Sequence, residues 1–209
     1  MDMELIHDLR LYLQLIQSSA QLLMLTAGPE TREYVDMLLA GVGQMERLLE
    51  HAMDDGDKTS LAPTDVVEVL RTLCLRCRGC AEGHGVRLRF ETNVSGLVLI
   101  TDPDRLSRVV LNLIMNALRF TPGGGGVTLS LTALGDFVEI SVADEGPGIA
   151  PERLPYIFLR GETDGGRGYG LPSASDGARL LGGSLTAEAS PGQGSIFTLR
   201  LPVRGAMVS

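Results

Sequence analysis

The chain has 209 residues, a hydrophobic content of 44% and a formal net charge of −8. This length suits one large domain or a small element followed by a domain, and the acidic balance without clustered basic residues argues against nucleic acid or an anionic membrane surface as the main partner. No apolar run reaches the length of a membrane span and the N-terminus does not resemble a signal peptide, so we expect a cytoplasmic protein.

The first 54 residues predict a helical hairpin. Apolar residues recur near heptad spacing over 2–26 and again over 31–53, and Gly28 and Pro29 separate the two stretches. His7 lies on a polar stripe of the first predicted helix. Because a two-helix hairpin cannot bury both apolar stripes alone, we expect a second copy to complete a four-helix bundle and the protein to be a homodimer. The alternative is that the hairpin packs on its own second domain.

The polar segment 55–63 ends in Pro63 and is predicted to be a linker, and residues 64–206 are predicted to form a second domain. Strands are predicted at 86–92, 97–101, 127–133, 137–143, 184–189 and 195–201, and helices at 65–83, 103–119, 151–157 and 172–181. Paired strands with helices between them predict a mixed sheet covered on one face. The predicted fold class is therefore α+β: a helical hairpin forming a dimeric four-helix bundle, followed by an α/β sandwich.

Three cysteines, Cys74, Cys77 and Cys80, follow one another at intervals of three, with His84 beyond them. This spacing is compatible with a metal site. Cys74 and Cys77 also share helical spacing with the neighbouring apolar residues, and we therefore expect these two thiols to be small buried groups.

The segment LNLIMNALRFTP at 111–122 carries two asparagines in an otherwise apolar helix. Asn112 and Asn116 are four residues apart, so they share one helix face. Asparagine is a mediocre helix former whose amide needs hydrogen-bond partners. The pair is therefore unusual for a core-facing helix.

Three glycine-rich segments follow: DEGPGIAPE at 144–152, GGRGYGLP at 165–172 and SPGQGSIF at 190–197. Glycine allows the backbone to approach a phosphate closely, and a helix N-terminus after such a loop favours anions. Each segment alone is also typical of an ordinary turn. Their order behind the paired asparagines favours a nucleotide site.

Together these motifs resemble the kinase core of two-component sensor histidine kinases, whose nucleotide domain belongs to the group that includes Hsp90, gyrase and MutL. HDLR at 7–10 resembles the phosphoacceptor box and NLIMNALRFTP resembles the N box. DEGPGI, YIF, GRGYGLP and GQGSIFTLRLP resemble the G1, F, G2 and G3 boxes, in the family's order. The resemblance implies that residues 1–54 are the dimerisation and phosphoacceptor hairpin and that 64–206 are the catalytic ATP-binding domain.

The resemblance also implies ATP and Mg²⁺ as ligands. Asn116 matches the residue whose side-chain oxygen holds Mg²⁺, a hard ion that prefers oxygen ligands, and Asn112 matches a second asparagine near the phosphates. Asp144 matches the carboxylate that accepts a hydrogen bond from the adenine amino group. The other positions that match the ATP site are Arg119, Phe120, Gly146, Gly148, Ile149, Gly166, Gly168, Gly170 and Leu171.

One position separates a kinase from an ATPase within this resemblance. ATP-hydrolysing relatives carry a water-activating glutamate one turn before the metal asparagine, and Asn112 stands there instead; an amide is no base at neutral pH. We therefore expect the γ-phosphoryl group to pass to His7, whose neutral imidazole is a competent nucleophile, with Asp8 fixing its tautomer. The expected next acceptor is an aspartate in the receiver domain of a response regulator.

The match departs from the family's pattern at several positions. Tyr12 replaces a proline that kinks the first helix. Leu11 replaces a Thr or Asn that orients water, which predicts weak phosphatase activity toward the regulator. The lid between Phe158 and Gly168 is short. These departures leave open a non-catalytic dimeric phosphotransfer or adaptor module with a degenerate nucleotide domain. A serine kinase acting on a sigma-factor regulator is a further alternative, which the hairpin disfavours.

Overall fold

The computed structural model describes residues 60–159, 170–203 and 207–208, together with isolated helical positions among the first 58 residues. The chain divides into two compact units, Met1–Lys58 and Thr59–Ser209.

In the first unit, every described residue is helical; these are Leu13, Ile16, Ala20, Thr31, Val35, Leu38, Val42 and Met45. Some of the apolar residues among them are buried, whereas Ile16, Leu38 and Met45 are 43%, 47% and 55% exposed. The turn of the predicted hairpin, the predicted phosphoacceptor His7 and its neighbour Asp8 lie outside the described residues. The four-helix bundle and the homodimer therefore stay predictions.

The second unit combines two sheets with three α-helices. The strands are β1 (Ala62–Asp65), β2 (Arg87–Thr92), β3 (Leu97–Thr101), β4 (Gly126–Leu134), β5 (Phe137–Asp144), β6 (Ser184–Ala189), β7 (Ser195–Pro202) and β8 (Met207–Val208). The helices are α1 (Val66–Gly83), α2 (Pro103–Phe120) and α3 (Gly170–Leu180). A single 3₁₀ turn spans Leu154–Tyr156.

The larger sheet has the strand order β2-β4-β5-β7-β6. The β2–β4 pair is parallel and the other pairs are antiparallel, so the predicted α+β class and mixed sheet are confirmed. The smaller sheet, β1-β3-β8, is antiparallel.

The core lies between one face of the larger sheet and the helices. Alternate residues of the central strands are buried, as Val138, Ile140 and Val142 are along β5, which is the period-2 pattern that predicted these strands. The helix α3 packs closely on α2, because a Cβ on Gly177 would lie only 2.6 Å from Cγ2 of Val109. The opposite face of the sheet is mainly polar.

Aspartate side chains cap the first two helices of this unit. Oδ1 of Asp65 accepts hydrogen bonds from the backbone N–H groups of Val67 and Glu68 at the start of α1. Oδ1 of Asp102 accepts one from the N–H of Arg105 at the start of α2. Each cap satisfies backbone donors that a helix leaves unpaired at its N-terminus, so both helices begin where the sequence places them.

The helix predicted at 151–157 is wrong, since the structure has only the 3₁₀ turn there. Pro155 has no N–H to donate to the carbonyl of residue 151, so an α-helix cannot continue through it. The two short strands at the ends of the unit were not predicted. Ala62 and Pro63, which the predicted linker included, belong to β1, where they pair with Thr101 and Ile100.

The cysteines behave as the helical spacing predicts. Cys74 and Cys77, on the buried face of α1, belong to the core, and Cys80 is partly buried. Burial raises the pKa of Cys77 to about 11, so this thiol stays protonated. Within the described part of the chain, no group of three His, Cys, Asp or Glu side chains is placed to hold a metal. None of the helices described there is long and apolar enough to cross a bilayer.

Candidate functional site

The end of β5 brings a buried carboxylate to the end of α2. Asp144 is the last residue of β5 and is 9% exposed. Its Oδ1 accepts a hydrogen bond from the Gly146 N–H at 2.8 Å. A Cβ on Gly146 would lie 2.7 Å from that oxygen and 3.1 Å from the carbonyl oxygen of Phe120. Glycine at this position therefore lets the loop pass between Asp144 and the last residue of α2.

Ser195 adds a second source of hydrogen bonds to the same carboxylate. It begins β7 opposite Asp144 in the β5–β7 ladder, and its backbone and its hydroxyl both hydrogen-bond to Asp144. Burial raises the pKa of Asp144 above its ordinary value, although the hydrogen bonds from Ser195 and Gly146 act in the opposite direction. A carboxyl group with a perturbed pKa at the end of a strand is a candidate for a functional site.

Two loops cross directly behind Asp144. Gly148 and Gly194 have φ angles of 71° and 77°. A Cβ on Gly194 would overlap the carbonyl oxygen of Asp144, and one on Gly148 would overlap the carbonyl oxygen of Ser190. The N–H of Gly192 donates a hydrogen bond to the Pro147 carbonyl at 2.7 Å. The loop 190–194 therefore holds the loop that follows Asp144 in place.

The two asparagines lie on α2, next to its buried stripe rather than within it. Asn112 and Asn116 are both partly buried, whereas Leu113 and Ala117 beside them are fully buried. Neither amide hydrogen-bonds to another residue in the part of the chain that the structure describes. The predicted shared face is present, and it leaves two amide groups at the surface of the helix that ends beside Gly146.

The last turn of α2 carries the next two predicted site residues. Arg119 and Phe120 are exposed, and the Arg119 guanidinium carbon lies 5.2 Å from the centroid of the Phe120 ring. The hydroxyl of Thr121 donates to the Ala117 carbonyl at 2.7 Å, which satisfies a carbonyl at the end of the helix. The cation of Arg119 therefore lies at the end of α2 beside an aromatic ring.

The apolar residues of the predicted site pack against the core. Ile149 and Leu171 are partly buried against the core, and Gly170 begins α3. Phe158, from the segment that resembles the F box, packs edge-to-face on Phe197 with 6.5 Å between the ring centroids. This contact fixes the chain just before the segment that leads to α3.

The remaining predicted site residues lie outside the described residues. They are Gly166 and Gly168, in the segment before α3, and His7 and Asp8, in the first unit. Ser195, which hydrogen-bonds Asp144, escaped the sequence prediction of individual site residues, and Gly194, which packs behind Asp144, was noted only as a glycine of the segment SPGQGSIF. Their only signal was the segment GQGSIF, since their contact with Asp144 depends on the β5–β7 register.

The family model of the histidine kinase-, DNA gyrase B- and HSP90-like ATPases matches residues 101–205, half of the chain. The chain belongs to this family. The match runs from the last residue of β3 to beyond β7, so this ATPase domain includes Asn112, Asn116 and Asp144. The chain's similarity to sensor histidine kinases also confirms the predicted resemblance to a sensor histidine kinase core.

The histidine protein kinase DivJ of Caulobacter vibrioides is 32% identical to this ATPase-family chain over 184 residues, which cover 82% of the chain and 31% of DivJ. The chain therefore spans about a third of that relative's length. Among solved structures, full-length ShkA in complex with AMPPNP matches 98% of the chain and 46% of its own chain, with a TM-score of 0.71 and 29% identity. The histidine kinase ThkA, solved with the response regulator protein TrrA, covers 96% of the chain and 60% of its own, with a TM-score of 0.67 and 20% identity, and shows the fold alone.

Proposed function

We propose that this chain is an ATP-dependent protein histidine kinase that autophosphorylates His7 and transfers the phosphoryl group to an aspartate in the receiver domain of a response regulator. The observation that carries the proposal is the buried carboxylate of Asp144, placed by Gly146 at the end of the helix that bears Asn112 and Asn116. The named activities of DivJ and ShkA's complex with AMPPNP support it.

The surroundings of Asp144 fit an adenine base. Its carboxylate is a buried hydrogen-bond acceptor for an exocyclic amino group, and such a polar contact fixes the orientation of a ligand in a mainly apolar site. A side chain at Gly146 would fill the space between Asp144 and Phe120. We therefore assign base recognition to Asp144 and clearance for the base to Gly146.

The oxygen donors present also fit magnesium. The described residues offer no cluster of three carboxylates, thiols or imidazoles, so a closed protein cage is not available among them. Magnesium usually takes one or two protein oxygens and completes its shell with phosphates and water. The side-chain oxygen of Asn116 would be its protein ligand, and the ion would neutralise phosphate charge there.

The second asparagine directs the fate of the γ-phosphoryl group. The amide of Asn112 cannot take a proton from water, so the domain has no general base at the position where the hydrolysing relatives carry glutamate. In the transfer that we propose, a ring nitrogen of His7 forms a bond to the γ-phosphorus while the bond to the β-phosphate oxygen breaks and ADP leaves. Asp8 orients the imidazole and stabilises its developing positive charge.

The first unit is the candidate dimerisation hairpin. Ile16, Leu38 and Met45 are helical and roughly half exposed in the single chain. Burying large apolar side chains on association is favourable by about 25 cal/mol per Å² of apolar surface. A second copy would supply that cover as a four-helix bundle. ThkA's complex with TrrA supports a response regulator as the other partner.

Radiolabelled ATP tests this proposal. With Mg²⁺ and ATP labelled on the γ-phosphate, the chain should acquire label that resists base and is lost in acid, as expected of a phosphorylated nitrogen. His7→Gln should abolish the label, because it removes the nucleophile, and should leave ATP binding unchanged. Asn116→Ala should abolish the label and weaken Mg²⁺-dependent binding together.

His84→Gln and His51→Gln are the matched controls, since they remove the chain's other two imidazoles. His84 lies in the second unit, where its Nδ1 is 2.8 Å from the Cys80 carbonyl oxygen, and both variants should keep full label. Label that survives His7→Gln would refute the acceptor. Bound ATP without any label would favour the non-catalytic adaptor.

A further inference from the structure

The strand β2 forms one edge of the five-stranded sheet and pairs only with β4 among the described strands. The N–H of Arg87 donates to the Gly125 carbonyl at 3.0 Å, and the N–H of Asn93 donates to the Leu131 carbonyl at 3.4 Å. Alternate residues of a strand in a parallel pair face the same neighbour. The backbone N–H and C=O groups of Leu88 and Phe90 therefore face away from β4, along an edge with which no other described strand pairs.

A cavity of about 310 Å³ runs along this edge, between β2 and the last turns of α1. It is lined by Arg78, Ala81, Glu82, Val86, Arg87, Leu88 and Arg89. We call this cavity the edge groove. Ala81 and Val86 are buried and form an apolar floor, while three guanidinium groups and one carboxylate surround it. The groove is therefore positively charged in a chain whose net charge is −8.

The three arginines of the edge groove are available to a ligand. Arg78, Arg87 and Arg89 are all exposed, and none forms an ion pair with a carboxylate in the described part of the chain. The side chains of Leu88 and Phe90 pack against the core, so those of Arg87 and Arg89 point to the opposite face of the sheet. Arg78 approaches the groove from α1.

We propose that the edge groove binds an extended acidic segment of another protein, which adds to β2 as a further strand. Strand addition at an exposed sheet edge is a recurring mode of peptide recognition, with main-chain hydrogen bonds for affinity and alternate side chains for specificity. Here Leu88 and Phe90 supply the main-chain groups. Acidic side chains on one face meet Arg87 and Arg89, and small apolar side chains on the other face meet the floor.

A second copy of this chain matches the charge of this edge less well than an acidic strand does. In an antiparallel pair of two β2 edges centred on Arg89, the two Arg89 side chains would lie opposite each other and Arg87 of each copy would lie opposite Glu91 of the other. Charged side chains at a sheet edge are a common defence against such pairing. Cross-strand pairs of opposite charge are favourable, whereas like charges opposite each other are unfavourable. An acidic strand meets both Arg87 and Arg89 with opposite charge, which a second copy of β2 does not.

A labelled peptide of about ten residues with alternating glutamate and valine tests the proposal, since a strand of that length exceeds β2 at both ends. In fluorescence anisotropy at low salt, the full chain should bind it saturably. Joint replacement of Arg87→Glu and Arg89→Glu should weaken binding at least about tenfold. The matched control joins Arg71→Glu and Arg179→Glu, which make the same charge change at exposed sites outside the groove, and should weaken binding far less.

Two further measurements separate strand addition from charge attraction. Amide hydrogen exchange at Leu88 and Phe90 should slow when the peptide binds, while exchange at Arg87, whose N–H is already bonded to Gly125, should not change. A peptide N-methylated at every residue keeps its charge, loses all its backbone donors and should not bind. The proposal would be overturned if the glutamate–valine peptide did not bind or if the methylated peptide did. It would also be overturned if amide exchange at Leu88 and Phe90 did not change, or if a single-stranded oligonucleotide competed equally well.

Discussion

Gly194→Ala is expected to lower the free energy of unfolding of the second unit by about 4 kcal/mol, because it combines a left-handed backbone with overpacking. Gly194 has a φ of 77°, and a Cβ there would overlap the carbonyl oxygen of Asp144. The clash is with backbone at the end of a core strand, which cannot rotate away. Hydrogen exchange of the amides in β5 and β7 of the full chain measures this loss without mixing in the first unit.

Gly192→Ala is the matched control for this variant. Gly192 has nearly the same φ, 76°, but a Cβ there would meet no atom within 4 Å. Its replacement by alanine should therefore lower the free energy of unfolding only through the left-handed backbone conformation, by about 1–2 kcal/mol. The difference between the two variants isolates the overlap with Asp144. Equal losses would show that the two loops do not cross behind Asp144 as described.

Asp102→Ala is expected to lower the free energy of unfolding by about 3–5 kcal/mol, because removing one member of a buried ion pair leaves the other charge uncompensated. The side chains of Asp102 and Arg105 are 7% and 11% exposed, and Oδ2 lies 3.7 Å from Nε of Arg105. The same oxygen accepts a hydrogen bond from the Ser60 N–H at 3.1 Å. Hydrogen exchange of α2 amides in the full chain measures the loss.

Asp65→Ala gives the control for the capping part of that effect. Asp65 also caps a helix through Oδ1, but it is exposed, so its replacement should lower stability by only about 1 kcal/mol. Adding Arg105→Met to Asp102→Ala should recover part of the loss, since it removes the stranded charge. If Asp102→Ala and Asp65→Ala lower the free energy of unfolding by the same amount, the Asp102–Arg105 ion pair does not contribute to stability.

Local sequence patterns predict most of the helices and strands of the second unit. Alternating burial along β4, β5 and β7 follows directly from alternating apolar residues, and the apolar stripe of α2 produced both the helix and the shared face of Asn112 and Asn116. The failures are short elements. β1 and β8 exist through pairing with β3, so nothing in their own few residues marks them as strands. The helix predicted at 151–157 is replaced by a 3₁₀ turn, because Pro155 stands within it.

The sequence motifs predict which residues belong to the candidate site, but they do not predict the contacts between those residues. Asp144, Gly146 and Gly148 stand out in one short segment, and the resemblance gave them roles. The support from Ser195 and Gly194 comes from a strand that follows about fifty residues later and reaches Asp144 only through the β5–β7 register. The bond between Ser60 and Asp102 likewise joins residues 42 positions apart. Such pairings depend on tertiary structure, which no local pattern encodes.

A crystal structure of the full chain with Mg²⁺ and AMPPNP tests the central claim most directly. Our account predicts that the adenine amino group lies within hydrogen-bond distance of the Asp144 carboxylate and that the side-chain oxygen of Asn116 ligates the metal. A nucleotide bound elsewhere, or a pocket beside Asp144 that stays closed at saturating nucleotide, would contradict it.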